Sequence, residues 1–198
     1  MKKHVPAVRD QLLDAALRFV QGAVRLPGVR RVALLGSIVT DRASPKDVDL
    51  LVYVANGTDL TALAALGRLL KGRLQSQSLG ADVFLADEDG RYLGRTCSWK
   101  LCGPGIRARC AALHCGRRPY LHDDLLVVQL DDALVAAPPV ELWPAVVRRV
   151  QLPDDVERFL SHLDEPHNNA LQPTVGAVAA GVNRRRSALA PPSAERER

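Results

Sequence analysis

A short apolar run that begins with two carboxylates constrains the fold of this chain most strongly. Residues 47–54 read DVDLLVYV, and the polar segment 37–46 separates them from a second apolar run, RRVALLG, at residues 30–36. Short apolar runs that are rich in β-branched and aromatic residues and bounded by polar segments are typical of buried strands. We therefore predict strands at Arg31–Leu35 and Asp47–Val54, in a sheet that carries carboxylates at the start of a buried strand.

The rest of the first half alternates between helical and strand-like patterns. Apolar residues recur at helical spacing over residues 7–25 and over Leu60–Leu74, and the second of these helices has a possible cap at Thr58 or Asp59. GADVFLA, from Gly80, is a further predicted strand, and one or two helical turns fit after Ser37. This order predicts an α+β (α/β-type) domain, in which helices flank a small mixed sheet.

The second half has weaker patterns. Residues 91–120 show no clean period and contain Gly, Pro, Cys and Arg, so we interpret them as a loop with short helical pieces. Residues 124–130, DLLVVQL, are typical of a strand. Residues 139–163 indicate two short C-terminal helices broken near Pro153.

Composition and length favour one domain. The chain has 198 residues, of which 47% are hydrophobic, and this is sufficient for a core without disulfide support. We place the domain at residues 1–165, with its core at 5–90. From residue 166 onward the chain is rich in Ala, Arg, Pro and Asn and lacks aromatic residues. We expect residues 166–198 to form a disordered, low-complexity tail, to which we assign no function.

We expect the N-terminal residues not to act as a targeting signal. Arg9, Asp10 and Asp14 interrupt the apolar stretch that a signal peptide would need. The chain also contains no run of about 18 apolar residues, so we expect no membrane span. We therefore expect a cytoplasmic protein whose four cysteines stay reduced unless they bind metal.

Two aspartates at the start of the second predicted strand indicate a metal-binding site. Asp47 and Asp49 are two residues apart, so their side chains point to the same face of the sheet. Adjacent carboxylates repel each other unless a cation lies between them. Two divalent metals about 3.5–4 Å apart can stabilise the attacking and leaving oxygens of a phosphoryl transfer. Such a site needs a further carboxylate, for which Asp82 is the candidate, and oxygen ligands favour Mg²⁺.

The preceding Gly36-Ser37 pair has features of a phosphate-binding segment. It follows a predicted strand and comes just before a predicted helical turn. Backbone N–H groups at such a position can hold phosphates, Gly permits close approach, and the Ser37 hydroxyl can donate a hydrogen bond.

Gly-Ser, a spacer, Asp-x-Asp and a later strand aspartate together resemble a known family. The pattern is similar to the nucleotidyltransferase superfamily that includes DNA polymerase beta, and most similar to its bacterial minimal nucleotidyltransferase domains. The resemblance covers roughly residues 5–90. It implies that Asp47 and Asp49 bind two Mg²⁺ ions (or Mn²⁺), and that Asp82 binds the catalytic metal and helps to activate the acceptor hydroxyl.

The same resemblance implies where the nucleotide binds. Gly36 and Ser37 would hold a nucleoside triphosphate such as ATP. Arg42 and Lys46, the two cations between Ser37 and the Asp-x-Asp motif, are further candidates for nucleotide binding.

A cysteine-rich segment leaves two interpretations open. Residues 97–115 read CSWKLCGPGIRARCAALHC and contain Cys97, Cys102, Cys110 and Cys115, with His114 beside the last. These residues could form a structural zinc site, although the spacing is not the usual C-x₂-C knuckle. Reduced, partly buried cysteines are the other interpretation.

The same region is basic. Residues 91–120 contain no Asp or Glu and seven cations, namely Arg91, Arg95, Lys100, Arg107, Arg109, Arg117 and Arg118. These could bind a triphosphate or a nucleic acid such as tRNA, or they could be solvated loop residues. Trp99 could stack on a base. His122, Asp123 and Asp124 could line the acceptor side of a site or cap the start of a strand.

Two functional hypotheses follow. The first is a metal-dependent nucleotidyltransferase that moves NMP from an NTP to an unknown hydroxyl on a protein, an RNA or a small molecule; an antitoxin that modifies a partner toxin is one version. The second is a non-catalytic nucleic-acid-binding module on the same fold that uses the basic segment, with or without zinc. An enzyme needs Mg²⁺ at Asp47 and Asp49, whereas a binding module needs only Arg and Lys.

The composition of the tail generates a first prediction. Removing residues 166–198 should leave the melting temperature within about 2 °C of that of the full chain, because the tail has too little apolar surface to contribute to a core. Thermal unfolding followed by circular dichroism tests this, and a large drop on truncation would show that the tail docks on the domain.

Overall fold

A computed structural model of the chain describes residues 7–101, 105, 110, 112, 113 and 118–164. Its helices are α1 (Val8–Ala23), α2 (Thr61–Gln75), α3 (Asp132–Ala136) and α4 (Asp154–Asp164), and a 3₁₀ helix spans Gly36–Val39. Its strands are β1 (Val29–Leu35), β2 (Asp47–Val54), β3 (Gly80–Asp87), β4 (Tyr92–Thr96), β5 (Leu121–His122), β6 (Val140–Trp143) and β7 (Val147–Arg148).

The strands form one mixed sheet in the order β5-β4-β3-β2-β1-β6-β7. Strands β2 and β3 are parallel, and every other neighbouring pair is antiparallel. The parallel pair is joined by α2, the crossover connection that parallel neighbours require. The predicted α+β class, with helices flanking a mixed sheet, is therefore confirmed.

Strand β2 is buried on both faces of the sheet. Its residues Val48, Leu50, Val52 and Val54 belong to a core that also contains apolar residues of α1, α2 and α4. Leu51 and Tyr53 belong to a second, smaller core on the opposite side, which includes Phe84 of β3 and Val135 of α3. The alternation along the strand assigns Asp47 and Asp49 to the same face as Leu51 and Tyr53.

The elements predicted in the first half are confirmed. The strand at Asp47–Val54 matches residue for residue, and the predicted Arg31–Leu35 lies within β1. The helix predicted at Leu60–Leu74 is α2, and Asp59 Oδ1 accepts a hydrogen bond from the backbone N–H of Thr61 at its start.

Two predictions for the second half are wrong. Residues 91–120 are not only loop and helical pieces, because Tyr92–Thr96 forms β4 against β3. Residues 124–130 are not a strand: backbone N–H groups of Val127 and Val128 bond to the Asp124 carbonyl, which closes a turn. Leu126 and Val127 in this turn are exposed, so the apolar run does not mark burial.

The predicted pair of helices at 139–163 is half wrong. Only the second half, α4, is helical; Val140–Trp143 and Val147–Arg148 are strands. Val140 and Leu142 face the main core, whereas Glu141 between them pairs with Arg31 of β1 on the other side. This period of two is that of a strand, and pairing with β1 decides it.

Other predictions lie wholly or partly outside the described residues. The tail at 166–198 is outside them, as are residues 1–6. Among the residues that the structure describes, no helix is both long enough and apolar enough to cross a membrane.

Candidate active site

The predicted site residues meet at one edge of the sheet. Because β1 is antiparallel to β2 and β2 is parallel to β3, the end of β1 and the starts of β2 and β3 lie together. Asp49 is paired with Leu35 on one side and with Asp82 on the other. We call Asp47, Asp49 and Asp82 the carboxylate cluster. The order of the strands thus brings together three residues that the sequence separates.

Gly36 is required where β1 ends beside this cluster. Its backbone has φ +76°, a conformation that favours glycine, and a Cβ at this position would lie 2.2 Å from Asp49 Oδ2. Any side chain would therefore displace the carboxylate. The structure shows Gly36 in contact with Asp49, which is a more specific role than the phosphate contact predicted from the sequence.

Asp49 is a carboxylate without a compensating cation. Burial, and then repulsion by Asp47 and Asp82, raise its pKa from the ordinary 3.8 to about 7. No salt bridge within the described part of the chain reaches Asp47 or Asp49. The position therefore favours either a proton or an added cation.

Asp82 differs because cations of the protein already contact it. Arg95 Nη1 of β4 lies 3.4 Å from Asp82 Oδ1, and Lys71 Nζ of α2 lies 4.0 Å from the same oxygen. The other Arg95 nitrogen, Nη2, donates to Asp124 Oδ2. Asp124 is only 3% exposed, so Arg95 is held between a surface carboxylate and a buried one.

Strand pairing positions Arg95. It lies opposite Phe84 of β3 and opposite His122 of β5, on the same face of the sheet as the carboxylate cluster. The preceding Gly94 has φ +127°, and a Cβ there would lie 2.5 Å from the His122 carbonyl oxygen. Glycine thus permits the close approach of β4 and β5 that brings Arg95 to Asp124.

The residues present fit one Mg²⁺ ion better than two. Mg²⁺ often uses only one or two protein carboxylates and completes its shell with waters and substrate phosphates, which Asp47 and Asp49 can satisfy. Among the described residues, however, no group of three or more His, Cys, Asp or Glu is close enough to hold a metal ion. Asp47, Asp49 and Asp82 therefore do not form a three-carboxylate metal site in this arrangement.

The predicted nucleotide-binding residues have different environments. The Ser37 hydroxyl is buried and has no hydrogen-bond partner in the described part of the chain. Arg42 and Lys46 are exposed, and neither forms a salt bridge with the carboxylate cluster among the residues described. Both cations are therefore free to meet an anion in solvent, whereas Ser37 would need the 3₁₀ helix to shift.

Arg9 of α1 contacts the loop between Gly36 and Asp47 and fixes its path. Its guanidinium donates to the backbone carbonyls of Ile38 (2.6 Å), Thr40 (3.2 Å) and Arg42 (2.9 Å). It also forms a bidentate pair with Asp155 of α4, with Nη2 to Oδ1 at 3.1 Å. All five N–H donors of a mostly buried guanidinium are used, so the loop between Gly36 and the cluster has a defined path.

The cysteine and basic segments are only partly described. Cys97 and Cys110 are free thiols, and Cys102 and Cys115 lie outside the described residues, so the zinc hypothesis stays open. Of the seven cations, Arg107, Arg109 and Arg117 also lie outside them. Arg91 and Lys100 are exposed and Trp99 is 53% exposed, while the charge of Arg95 is offset by two carboxylates.

Sequence reasoning missed the roles of Arg9, Lys71, Arg95 and Asp124. The Arg9–Asp155 pair spans 146 residues and follows no local pattern. Arg95 was recognised only as one cation among several, and its strand was interpreted as loop. YLGRT gives only a weak signal for a strand, since a register shift between Tyr92 and Gly94 interrupts its alternation.

The chain matches no protein-family model, no curated protein and no solved structure. The case for a function therefore depends on the geometry of the carboxylate cluster and its surroundings.

The raised pKa of Asp49 makes the stability of the metal-free chain depend on pH. Because folded Asp49 binds its proton more tightly than unfolded Asp49, the contribution of Asp49 to stability is largest at low pH and falls as pH rises from 3.8 to about 7. In EDTA at about pH 8.5, Asp49→Asn should raise the free energy of unfolding by roughly 1–3 kcal/mol, a range reduced for partial solvent exposure. At about pH 4.5 the change should be small.

Thermal unfolding at both pH values measures this effect. Asp82→Asn is the matched control: it removes the partner of Arg95 and Lys71, so it should not stabilise the chain at either pH. Equal melting temperatures for wild type and Asp49→Asn at high pH would show that the ionised Asp49 carboxylate does not destabilise the fold.

A substitution at Arg9 tests the order of the loop. Arg9→Lys keeps the charge but cannot make five hydrogen bonds, so it should cost about 2–4 kcal/mol and speed amide exchange in residues 38–46. Hydrogen exchange by mass spectrometry measures this. Arg18→Lys is the control, because Arg18 lies on the same helix and pairs only with exposed Asp14. Unchanged exchange in Arg9→Lys would show that the loop is ordered by other contacts.

Proposed function

We propose that the chain is a metal-dependent nucleotidyltransferase that moves NMP from an NTP to a hydroxyl group. One observation carries the proposal: Asp47 and Asp49 share a face at the edge of the sheet, and no protein cation compensates them within the described residues. A protein rarely retains adjacent carboxylates of this kind without a ligand, because their repulsion and desolvation oppose folding.

The proposed reaction balances as a single displacement. The acceptor hydroxyl oxygen attacks the α-phosphorus, the bond from that phosphorus to the bridging oxygen breaks, and pyrophosphate leaves. The hydroxyl proton passes to a base. A divalent ion bound with the triphosphate supplies the neutralisation of charge that such a transfer needs.

The residues of the chain would take distinct parts. Asp47 and Asp49 would hold the ion, and Gly36 would keep the Asp49 carboxylate in place by leaving room for Oδ2. Asp82 Oδ1 is engaged by Arg95 and Lys71, so its Oδ2 is the oxygen available to accept the hydroxyl proton.

The proposal also names contacts for the triphosphate and classes of acceptor. Arg42 and Lys46, exposed between the two parts of the motif, would contact the triphosphate. The acceptor hydroxyl could belong to a protein, an RNA such as tRNA, or a small molecule, and modification of a partner toxin is one version of this function.

A labelled-transfer assay tests the proposal. NTPs labelled at the α-phosphate, Mg²⁺ and a cell lysate as the source of acceptor should give labelled product with the wild-type chain. Asp47→Asn and Asp49→Asn keep the side-chain shape but remove the charge, so each should lower transfer by about 100-fold or more and weaken Mg-NTP binding in calorimetry.

Asp41→Asn is the matched control, because it removes a carboxylate from an exposed position of the same loop. It should transfer as wild type does. If the wild-type chain binds no NTP with Mg²⁺ or Mn²⁺, or if both Asp variants match it, the catalytic proposal is wrong. The nucleic-acid-binding module would then lead, supported by exposed Trp99, Arg91 and Lys100.

A further inference from the structure

We propose that Arg95 and Lys71 take the place of a second divalent ion at Asp82, so that the carboxylate cluster holds one ion, at Asp47 and Asp49. The inference rests on the proposed function and refines it. The resemblance to nucleotidyltransferases implies two ions that share the three aspartates, and the geometry around Asp82 disagrees with that expectation.

The carboxylate cluster is asymmetric. Asp49 and Asp82 are direct neighbours on parallel strands, yet among the described residues only Asp82 has cations beside it. Arg95 and Lys71 both approach Oδ1 of Asp82, from β4 and α2 respectively. Together they carry a formal charge of two, of which the Asp124 carboxylate offsets part, so a second ion would still meet like charge at this oxygen.

Arg95 cannot easily leave this position. Its guanidinium contacts Asp82 through one nitrogen and Asp124 through the other, and Asp124 is almost fully buried. Moving Arg95 away would leave the buried Asp124 carboxylate without its cation, which strongly opposes the change. Arginine also stays protonated at any ordinary pH, so this charge is constant.

The space on the α2 side of Asp82 is also small, although the Asp82 side chain as a whole is 39% exposed. A cavity of about 10 Å³ lies between α2 and the sheet, with Lys71, Asp82, Thr96 and Ser98 among its lining residues. That volume is about that of one water, which is too little for Mg²⁺ with several waters of its own shell. On this side of Asp82, the protein cations occupy the place that a hydrated ion would need.

The test counts bound ions directly. Mn²⁺ is titrated into the full chain with an NTP analogue whose α,β bridge is a methylene group, and free Mn²⁺ is measured by electron paramagnetic resonance. The wild type should hold one Mn²⁺ per chain, with any second ion binding at least about tenfold more weakly. Asp49→Asn should lose the tightly bound ion.

The main variant combines Arg95→Gln with Asp124→Asn. It removes the Arg95 cation from Asp82, while Lys71 remains, and it leaves no buried charge unpaired. Folding should therefore be retained, and circular dichroism verifies this. We expect it to hold two Mn²⁺ ions of similar affinity. Lys71→Gln, at a partly exposed position, should tighten the second ion by a smaller factor.

Matched controls separate a local effect from a change in net charge. Arg91→Gln and Arg73→Gln remove exposed cations from the same regions of the chain and should leave one tightly bound ion. Arg95→Lys, which retains a cation at Asp82, should also hold one ion.

The outcomes are distinguishable. Two ions of similar affinity in the wild type, or one ion in the double variant, would overturn this inference and leave the proposed function standing. No bound Mn²⁺ in wild type and variants alike would overturn the proposed function, and the inference with it.

Discussion

Burial of strand β2 on both faces is the constraint on which the rest of the structure depends. From Leu50 to Val54 every side chain is buried, on one side against α1, α2 and α4 and on the other against the smaller core. Charged residues can therefore stand only at the start of this strand, where burial begins. Asp47 lies just outside that limit and Asp49 lies on it, and this is why Asp49 is desolvated without being enclosed.

The two neighbouring strands give the cluster its unequal electrostatics. On the β1 side, the chain turns at Gly36, and no salt bridge reaches Asp49 from the described residues. On the β3 side, Arg95 and Lys71 reach Asp82, and Asp124 holds Arg95 in place. In the part of the chain that the structure describes, cations thus contact Asp82 but neither Asp47 nor Asp49. A single divalent ion would compensate Asp47 and Asp49.

The loop between Gly36 and Asp47 depends on contacts from the helical layer. Arg9 of α1 bonds to three backbone carbonyls of this loop and to Asp155 of α4, so the packing of the helices is transmitted to the edge of the sheet. A polar loop that follows a strand would otherwise have several paths open to it. Helix packing and site geometry are coupled through this one guanidinium.

Local sequence pattern was sufficient to predict those elements that hydrophobic periodicity and local hydrogen bonds select. The strand at Asp47–Val54, the helix that begins after Asp59, and the shared face of Asp47 and Asp49 all follow from periodicity and capping, because burial and local hydrogen bonds select them. Tertiary contacts decided the remainder. VELW became a strand because it pairs with β1. DLLVVQL became a turn in which Asp124 is buried, Leu126 and Val127 are exposed, and Val128 and Leu130 pack partly against the smaller core.

The sequence by itself determined that two carboxylates stand at the start of a buried strand, beside a glycine, with a third on a later strand. Only the tertiary structure decided which of them are compensated. Charge compensation depends on distances between side chains far apart in sequence: Arg95 reaches Asp82 and Asp124 through strand pairing, and Arg9 reaches Asp155 across 146 residues. These distances cannot be predicted from hydrophobic periodicity. They arise from the packing of elements against one another, and not from the order of residues within one element.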